Sequence, residues 1–177
     1  MLFPFPQPIF EARFLKRYKR FLVDLEYEGK VFTAHTANTG AMTGLLKKNC
    51  AALIFDSKNP KRKLPHSLIA LKPATHWVGV NTQWANDAAA FFINNNIIAD
   101  LIPDNGIERE VRLPSGSRLD LALSHKGQKC FIEVKNVTLT EGNKALFPDA
   151  ATKRGLKHIN ELLKASKYPH FRSFNQN

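Results

Sequence analysis

The sequence predicts a mixed α+β fold in which a small β-barrel precedes a domain of one helix, three strands and a second helix. Short apolar runs separated by Gly and Pro turns fill residues 1–80 and show no helical period. Helical spacing of apolar residues begins after Asn81 and returns after Thr152, with three strand-like runs between. We therefore predict two domains, 1–80 and 81–165, followed by an irregular tail, 166–177.

The barrel strands are predicted from apolar runs bounded by turns. A long extended run starts with basic residues, and the next strand follows a turn at Glu28-Gly29-Lys30. The predicted runs are Phe14–Tyr27, Val31–His35, Cys50–Phe55, Leu68–Leu71 and His76–Val80.

The second domain is predicted from a change in period. Asn81 or Thr82 can cap a helix in which apolar residues recur at helical spacing. The strands are then Ile107–Leu113, Ser117–Ser124 and Lys129–Val137. Thr152–Ala165 is the last helix, with Leu156, Ile159, Leu162 and Leu163 on one face.

The charge of the chain points to a polyanionic partner. There are 26 Lys and Arg against 15 Asp and Glu, a formal charge of +11. Such an excess attracts nucleic acid first and acidic membrane surfaces second, although a basic enzyme kept soluble by its charge is also compatible with it. The apolar N-terminus is broken by prolines and no run is long enough to span a membrane. Cys50 and Cys130 lie in apolar runs as reduced core residues, so we expect a cytoplasmic protein that does not use a membrane.

One predicted hairpin carries the chemistry. If the chain turns at Lys126-Gly127, Asp120 lies opposite Glu133, and Arg118 lies opposite Lys135. The other face of the hairpin is wholly apolar and predicts the core side.

Two opposed carboxylates repel each other, and a cation between them removes the repulsion. Mg²⁺ or Mn²⁺ fits, because these ions take oxygen ligands and retain waters, and Lys135 on the same face can orient or help deprotonate such a water. The pattern therefore favours a nuclease site in which Asp120 and Glu133 bind metal. A plain charged strand stays an alternative, because Glu28-Gly29-Lys30 repeats the Glu-x-Lys pattern in an ordinary turn and Arg118 and Lys135 can neutralise the acids.

Eight strings, in order along the chain, resemble the sugar fermentation stimulation protein A family of bacteria and archaea. They are Arg17–Leu22, His35–Met42, Lys61–Lys63, Val80–Thr82, Ser117–Asp120, Phe131–Leu139, Phe147–Ala150 and Arg154–His158.

The resemblance implies an N-terminal OB-type barrel followed by a PD-(D/E)XK nuclease-like α-βββ-α domain. It also implies a DNA-binding regulator linked to sugar metabolism, with Asp120 and Glu133 as metal-binding acids and Lys135 as the catalytic lysine. Members continue with a strongly apolar strand where this chain ends in residues 166–177, which have no apolar run. We therefore expect a nuclease-like domain that lacks its last strand, with the apolar face of the last helix partly uncovered. Such a domain is compatible with an active Mg²⁺- or Mn²⁺-dependent phosphodiesterase and with one that the truncation has inactivated.

Nucleic-acid contacts are predicted on the barrel, where cations and an aromatic residue interleave and a second basic loop follows. The candidates are Arg13, Arg17, Tyr18, Lys19, Arg20, Lys61, Arg62 and Lys63, with Lys16 and Lys58 beside them. The resemblance adds His35 and Asn38, next to a flexible Thr39-Gly40 turn whose backbone N–H groups can meet a phosphate. A solvated charged face is the alternative for each basic run, and Glu110, then Glu108, are candidates for a further acid.

The predicted function is a DNA-binding protein, with double-stranded DNA favoured, that carries a Mg²⁺- or Mn²⁺-dependent phosphodiesterase site. The alternative is a non-catalytic DNA-binding transcriptional regulator that keeps the acids as structural remnants. RNA is a third candidate partner, since OB barrels accept single strands of either type.

Overall fold

The structure, a computed structural model, describes residues 2–141, 144–147 and 153–165. The chain divides into two compact units. One comprises residues 2–83 and the segment from Asn136, and the other comprises residues 84–135 and the last helix. The tail predicted at 166–177 lies outside the described residues.

The first unit is a closed barrel. Its strands are β1 (Ile9–Tyr18), β2 (Leu22–Tyr27), β3 (Lys30–His35), β4 (Ala51–Asp56), β5 (His66–Lys72) and the short β6 (Val78–Gly79). They follow the order β3-β2-β1-β4-β5-β6, and a parallel pairing of β3 with β5, at His35 and Ser67, closes the sheet. The expectation of a small barrel is confirmed.

The predicted long run Phe14–Tyr27 was wrong as a single element. Lys19 and Arg20 adopt left-handed backbone angles, with φ of 48° and 62°, and turn the chain between β1 and β2. Alternate residues of the strands face inward, so that Phe14, Leu25 and Ile54 are almost fully buried.

Helix α1 (Thr82–Asn94) begins at the end of the barrel unit and lies in the second unit from Trp84 onward. The second unit also contains β7 (Ile107–Arg112), β8 (Arg118–His125), β9 (Gln128–Ile132) and α2 (Lys153–Ala165). Asn81 caps α1, because its Oδ1 accepts the backbone N–H of Gln83 at 3.1 Å. The three strands form an antiparallel sheet in the order β7-β8-β9. A short hairpin of β10 (Leu139–Glu141) and β11 (Lys144–Leu146), which the sequence did not predict, belongs to the barrel unit.

The β8–β9 hairpin has the predicted turn and register. Lys126 and Gly127 both have positive φ, as the tightest two-residue turns require. Leu121 pairs with Ile132 and Leu123 with Cys130, and these residues form the core with Ile93 of α1. The predicted third strand Lys129–Val137 was too long, because the ladder ends at Ile132 and the N–H of Val134 instead binds the carboxylate of Asp120.

Helix α2 leaves most of its apolar stripe exposed. Leu156, Ile159 and Leu163 are exposed at 61%, 49% and 59%, which confirms the expectation of a partly uncovered apolar face. His158 and Glu161 lie on the covered side. Within the described ranges, no helix is long and apolar enough to cross a membrane.

Candidate functional site

Asp120 is held by one hydrogen bond on each carboxylate oxygen. On strand β8, its Oδ1 accepts the Asn86 side-chain N–H of α1 at 2.9 Å, and its Oδ2 accepts the backbone N–H of Val134 at 2.8 Å. A carboxylate oxygen has two lone pairs, so each oxygen retains acceptor capacity. The geometry orients Asp120 without saturating it.

Glu133 has a buried side chain, and its two carboxylate oxygens differ in their hydrogen bonds. Its side chain is only 5% exposed, and Oε1 accepts hydrogen bonds from Lys135 Nζ and His158 Nδ1. Oε2 is buried and has no hydrogen-bond partner among the described residues. A buried carboxylate oxygen without a partner costs free energy, and such exceptions are rare in folded proteins.

Helix α2 contributes a residue that the sequence reasoning missed. His158 is half-buried and contacts both Glu133 and Lys135, 25 and 23 positions earlier in the chain. In the sequence, His158 stands only at the end of the family string Arg154–His158, and no chemical role was predicted for it. The available clue was its place on the helix, on the side away from Leu156, Ile159 and Leu163.

A cleft of about 270 Å³ opens at Asp120 and His158, and Glu110, Arg118 and Leu119 complete its lining. It can hold several waters, each of which occupies about 30 Å³. Glu110 lies in the middle of β7 with a left-handed φ of 54°, an unusual angle for a residue other than glycine. Its carboxylate forms an ion pair with Arg118 at 2.8 Å. The candidate further acid Glu110 therefore lines the same cleft as Asp120, whereas Glu108 pairs with Lys129 and does not line it.

The donor set suits a small hard cation. No group of three or more His, Cys, Asp or Glu side chains within the described ranges has an arrangement suited to a metal ion. Mg²⁺ and Mn²⁺ do not need such a cage, since they commonly bind through one or two carboxylates plus waters and phosphate oxygens. The unpartnered Oε2 of Glu133 and the incompletely used oxygens of Asp120 therefore fit this kind of ion.

On the barrel, one end gathers the predicted basic segments. His35 pairs with Leu22, next to the β1–β2 turn, and with Ser67 at the start of β5. Arg62, in the β4–β5 loop, donates to the hydroxyl of Ser67 at 3.1 Å. The turn that carries Lys19 and Arg20 and the loop that carries Lys61, Arg62 and Lys63 therefore meet around His35.

The surroundings of His35 favour its neutral form. Burial, and then the charge of Arg62, lower its pKa below the ordinary value of 6.5. A neutral imidazole can offer a phosphate one N–H donor but no charge. Lys19, Arg20, Lys61 and Lys63 are exposed cations at the same end.

Arg17 and Asn38 mainly build the adjoining loop. The Arg17 guanidinium donates to the backbone carbonyls of Arg20, Gly40 and Asn38 at 2.7, 2.8 and 2.9 Å. Burial, and then Arg20, lower the pKa of Arg17. The Oδ1 of Asn38 accepts the Gly40 N–H at 2.7 Å.

Two further candidates make side-chain contacts within the barrel. The Tyr18 hydroxyl donates to Asp24 at 3.0 Å, and Arg13 pairs with Glu26 and donates to Asn49. Arg13 is exposed although it pairs with Glu26, and Lys19, Arg20, Lys61 and Lys63 are the other exposed members of the predicted contact set. The role of every member stays a prediction.

Comparison with known proteins identifies both halves of the chain. Residues 15–80 match the model of the SfsA N-terminal OB domain, and residues 83–172 match that of the sugar fermentation stimulation protein RE domain. The chain belongs to the SfsA family. The family predicted from the eight strings is thus confirmed.

Relatives support the assignment along most of the chain. The sugar fermentation stimulation protein homolog of Geotalea uraniireducens is 43% identical over 93% of this chain and 72% of its own length. That of Desulfotalea psychrophila is 42% identical over 92% of this chain and 70% of its own.

A solved structure has the same fold. Pyrococcus furiosus SfsA, in complex with Ca²⁺, superposes with a TM-score of 0.80 at 25% identity, over 91% of this chain and 68% of that chain. The prediction of a mixed α+β fold with an N-terminal OB-type barrel is confirmed.

Proposed function

We propose that this SfsA-family chain binds DNA and carries a nuclease-type site for Mg²⁺ or Mn²⁺, formed by Asp120, Glu133 and Lys135. The observation that carries the proposal is the buried Oε2 of Glu133, which has no hydrogen-bond partner among the described residues. A divalent cation at this oxygen would remove the cost of leaving it unpartnered.

Asp120 and Glu133 would hold the ion from β8 and from the segment that follows β9. When bound, such an ion lowers the pKa of a coordinated water and stabilises negative charge on a phosphate. The side chain of Lys135 is 30% exposed, and its Nζ forms an ion pair with Glu133. This Nζ would orient a water beside the phosphodiester. The cleft lined by Asp120 and His158 provides the room for water and phosphate oxygens.

The Pyrococcus furiosus relative supports the preference for a hard cation. That protein was solved in complex with Ca²⁺, an ion that takes oxygen ligands. Magnesium and manganese prefer the same oxygen donors. Because this chain has the same fold, a divalent cation bound to its carboxylates is consistent with the relative.

The barrel supplies the surface for DNA. Residues 1–80 carry half of the 26 Lys and Arg side chains but only a third of the 15 Asp and Glu side chains. Around His35, the exposed Lys19, Arg20, Lys61 and Lys63 can neutralise several phosphates. Cys50 and Cys130 are buried free thiols, which suits our proposal that the chain acts in the reducing cytoplasm.

Cleavage of DNA forms in the presence of Mn²⁺ tests the catalytic part. We expect Asp120→Ala to reduce the cleavage rate at least ~100-fold, because the ion would lose one of its two protein carboxylates. Asp100→Ala is the matched control, since it removes an exposed carboxylate of the same unit. The measurement is the initial rate on supercoiled, linear and single-stranded DNA. Equal cleavage by wild type and Asp120→Ala would refute the proposal that this site catalyses cleavage.

A non-catalytic DNA-binding regulator, linked through the family to sugar metabolism, is the second candidate. The ion pair between Lys135 and Glu133 favours it, because this pair already compensates one oxygen of the buried acid without a metal. DNA binding without cleavage by either protein would support this function. Competition between RNA and double-stranded DNA for the barrel would identify the preferred nucleic acid.

A further inference from the structure

We propose that His158 is a positioning residue of the metal site: it holds Oε1 of Glu133 so that Oε2 is the oxygen presented to the cation. The proposal rests on the proposed metal-binding function. Its basis is the contact between His158 Nδ1 and Glu133 Oε1, together with the absence of a hydrogen-bond partner for Oε2 among the described residues.

The proposal assigns a direction to these hydrogen bonds. An ionised Glu133, as a metal ligand must be, can only accept, so in the proposed arrangement His158 Nδ1 and the Lys135 ammonium both donate to its Oε1. In this arrangement, Lys135 Nζ and His158 Nδ1 lie 3.4 Å apart because both donate to the same oxygen, and neither donates to the other. Two donors on Oε1 reduce its capacity for a cation, and Oε2 becomes the single ligand oxygen.

His158 restricts Glu133 more firmly than Lys135 does. Lys135 lies two residues along the same segment, on a flexible side chain that is 30% exposed. His158 projects from α2, its side chain is 15% exposed, and its ring has few rotamers. A hydrogen bond from a separate element therefore fixes the carboxylate, as donors behind metal ligands do in many sites.

The opposing explanation is that the contact only docks α2 on its own unit. The two explanations differ in what a matched pair of substitutions does. His158→Asn keeps an N–H donor near the position of Nδ1, whereas His158→Leu keeps apolar bulk and removes the donor. A metal-positioning role separates the Mn²⁺ affinities of these variants, whereas a docking role changes only their thermal stability without metal.

The experiment is a Mn²⁺ titration of the full chain, followed by electron paramagnetic resonance of the free ion, with thermal melts of the metal-free proteins. The proteins are wild type, His158→Asn, His158→Leu, Asp120→Ala and Asn160→Ala, the last an exposed control on α2. We expect His158→Leu to weaken Mn²⁺ binding about tenfold or more, His158→Asn to restore most of the affinity, and Asn160→Ala to match wild type. Should His158→Leu fail to fold, His158→Gln replaces it, since its longer side chain moves the donor away from the Nδ1 position.

The variants distinguish failure of the positioning role from failure of the metal site itself. If Asp120→Ala loses Mn²⁺ while the donor-deficient His158 variant binds it as wild type does, the positioning role is overturned and the metal site stands. If the wild-type chain binds no Mn²⁺, the metal site itself is overturned, and the role of His158 with it.

Discussion

Asp104 shows how one exposed carboxylate can organise the hairpin that supports the candidate site. Its oxygens accept the Ser124 hydroxyl and the Gly127 N–H, each at 2.9 Å, and the Lys126 N–H at 3.0 Å. The Gly127 N–H first, and then the Ser124 hydroxyl, lower the pKa of Asp104 from its ordinary value of 3.8. The ionised form is therefore favoured by folding.

This lowered pKa gives the stability a defined dependence on pH. A carboxyl with a lower pKa in the folded state contributes stability above its unfolded pKa of 3.8, and that contribution is lost as the pH falls through the lower folded-state value. We expect Asp104→Asn to reduce the free energy of unfolding at pH 7 and to flatten its fall below pH 3.8 relative to wild type. Urea denaturation across this range measures both effects. Parallel curves for the two proteins would contradict the assignment.

At the level of the element, the β8–β9 hairpin depends on two residues of positive φ. Lys126 has φ of 52° and Gly127 has φ of 72°. A side chain at Gly127 would meet no atom within 4 Å, so its conformational cost dominates any substitution there. The turn sets the register that brings Asp120 to the segment of Glu133.

Gly127→Ala should lower the free energy of unfolding by about 1 kcal/mol, because a Cβ disfavours the left-handed angle. The matched control is Gly79→Ala on β6, which has open space and no positive φ, and should change stability little. Chemical denaturation measures the difference. An unchanged free energy for Gly127→Ala would show that the turn relaxes to another type.

Helix α2 illustrates what an apolar pattern leaves undecided. Leu156, Ile159 and Leu163 form an apolar stripe, which ordinarily predicts the covered face of a helix. The covered face instead carries Gly155, His158 and Glu161. On the covered side, His158 binds Glu133 and Glu161 accepts the Ser115 hydroxyl.

At the level of the whole molecule, most of the net positive charge belongs to residues 1–80, which include the barrel. The basic β1–β2 turn and the basic β4–β5 loop meet around His35, at one end of the β2–β3 ladder. Lys30, which pairs with Tyr27, lies at the other end of this ladder. Several cations grouped at one end predict a binding equilibrium that releases several counterions from DNA.

We expect DNA affinity to fall steeply with salt, and the logarithmic slope to drop by about 2 in the Arg20→Ala, Lys61→Ala double variant, at roughly 0.9 per lost phosphate contact. Lys30→Ala removes one positive charge at the start of β3, away from His35, and should leave the slope nearly unchanged. Fluorescence anisotropy with labelled duplex at several salt concentrations gives the slopes. A flat salt response of the wild type would count against DNA as the partner.

The sequence by itself determined the mixed fold, the barrel, the turn at Lys126-Gly127 and the register of β8 with β9, because periodicity and turn chemistry act over a few residues. It predicted Asp120 opposite Glu133 on this hairpin, whereas in the structure the ladder ends at the Leu121–Ile132 pair, and Glu133 and Lys135 lie in the segment that follows β9. Only the tertiary structure ended β9 at Ile132 and brought His158 to Glu133 across 25 positions. Local patterns cannot fix such contacts, since a hydrogen bond between distant elements depends on how the helix packs against the sheet.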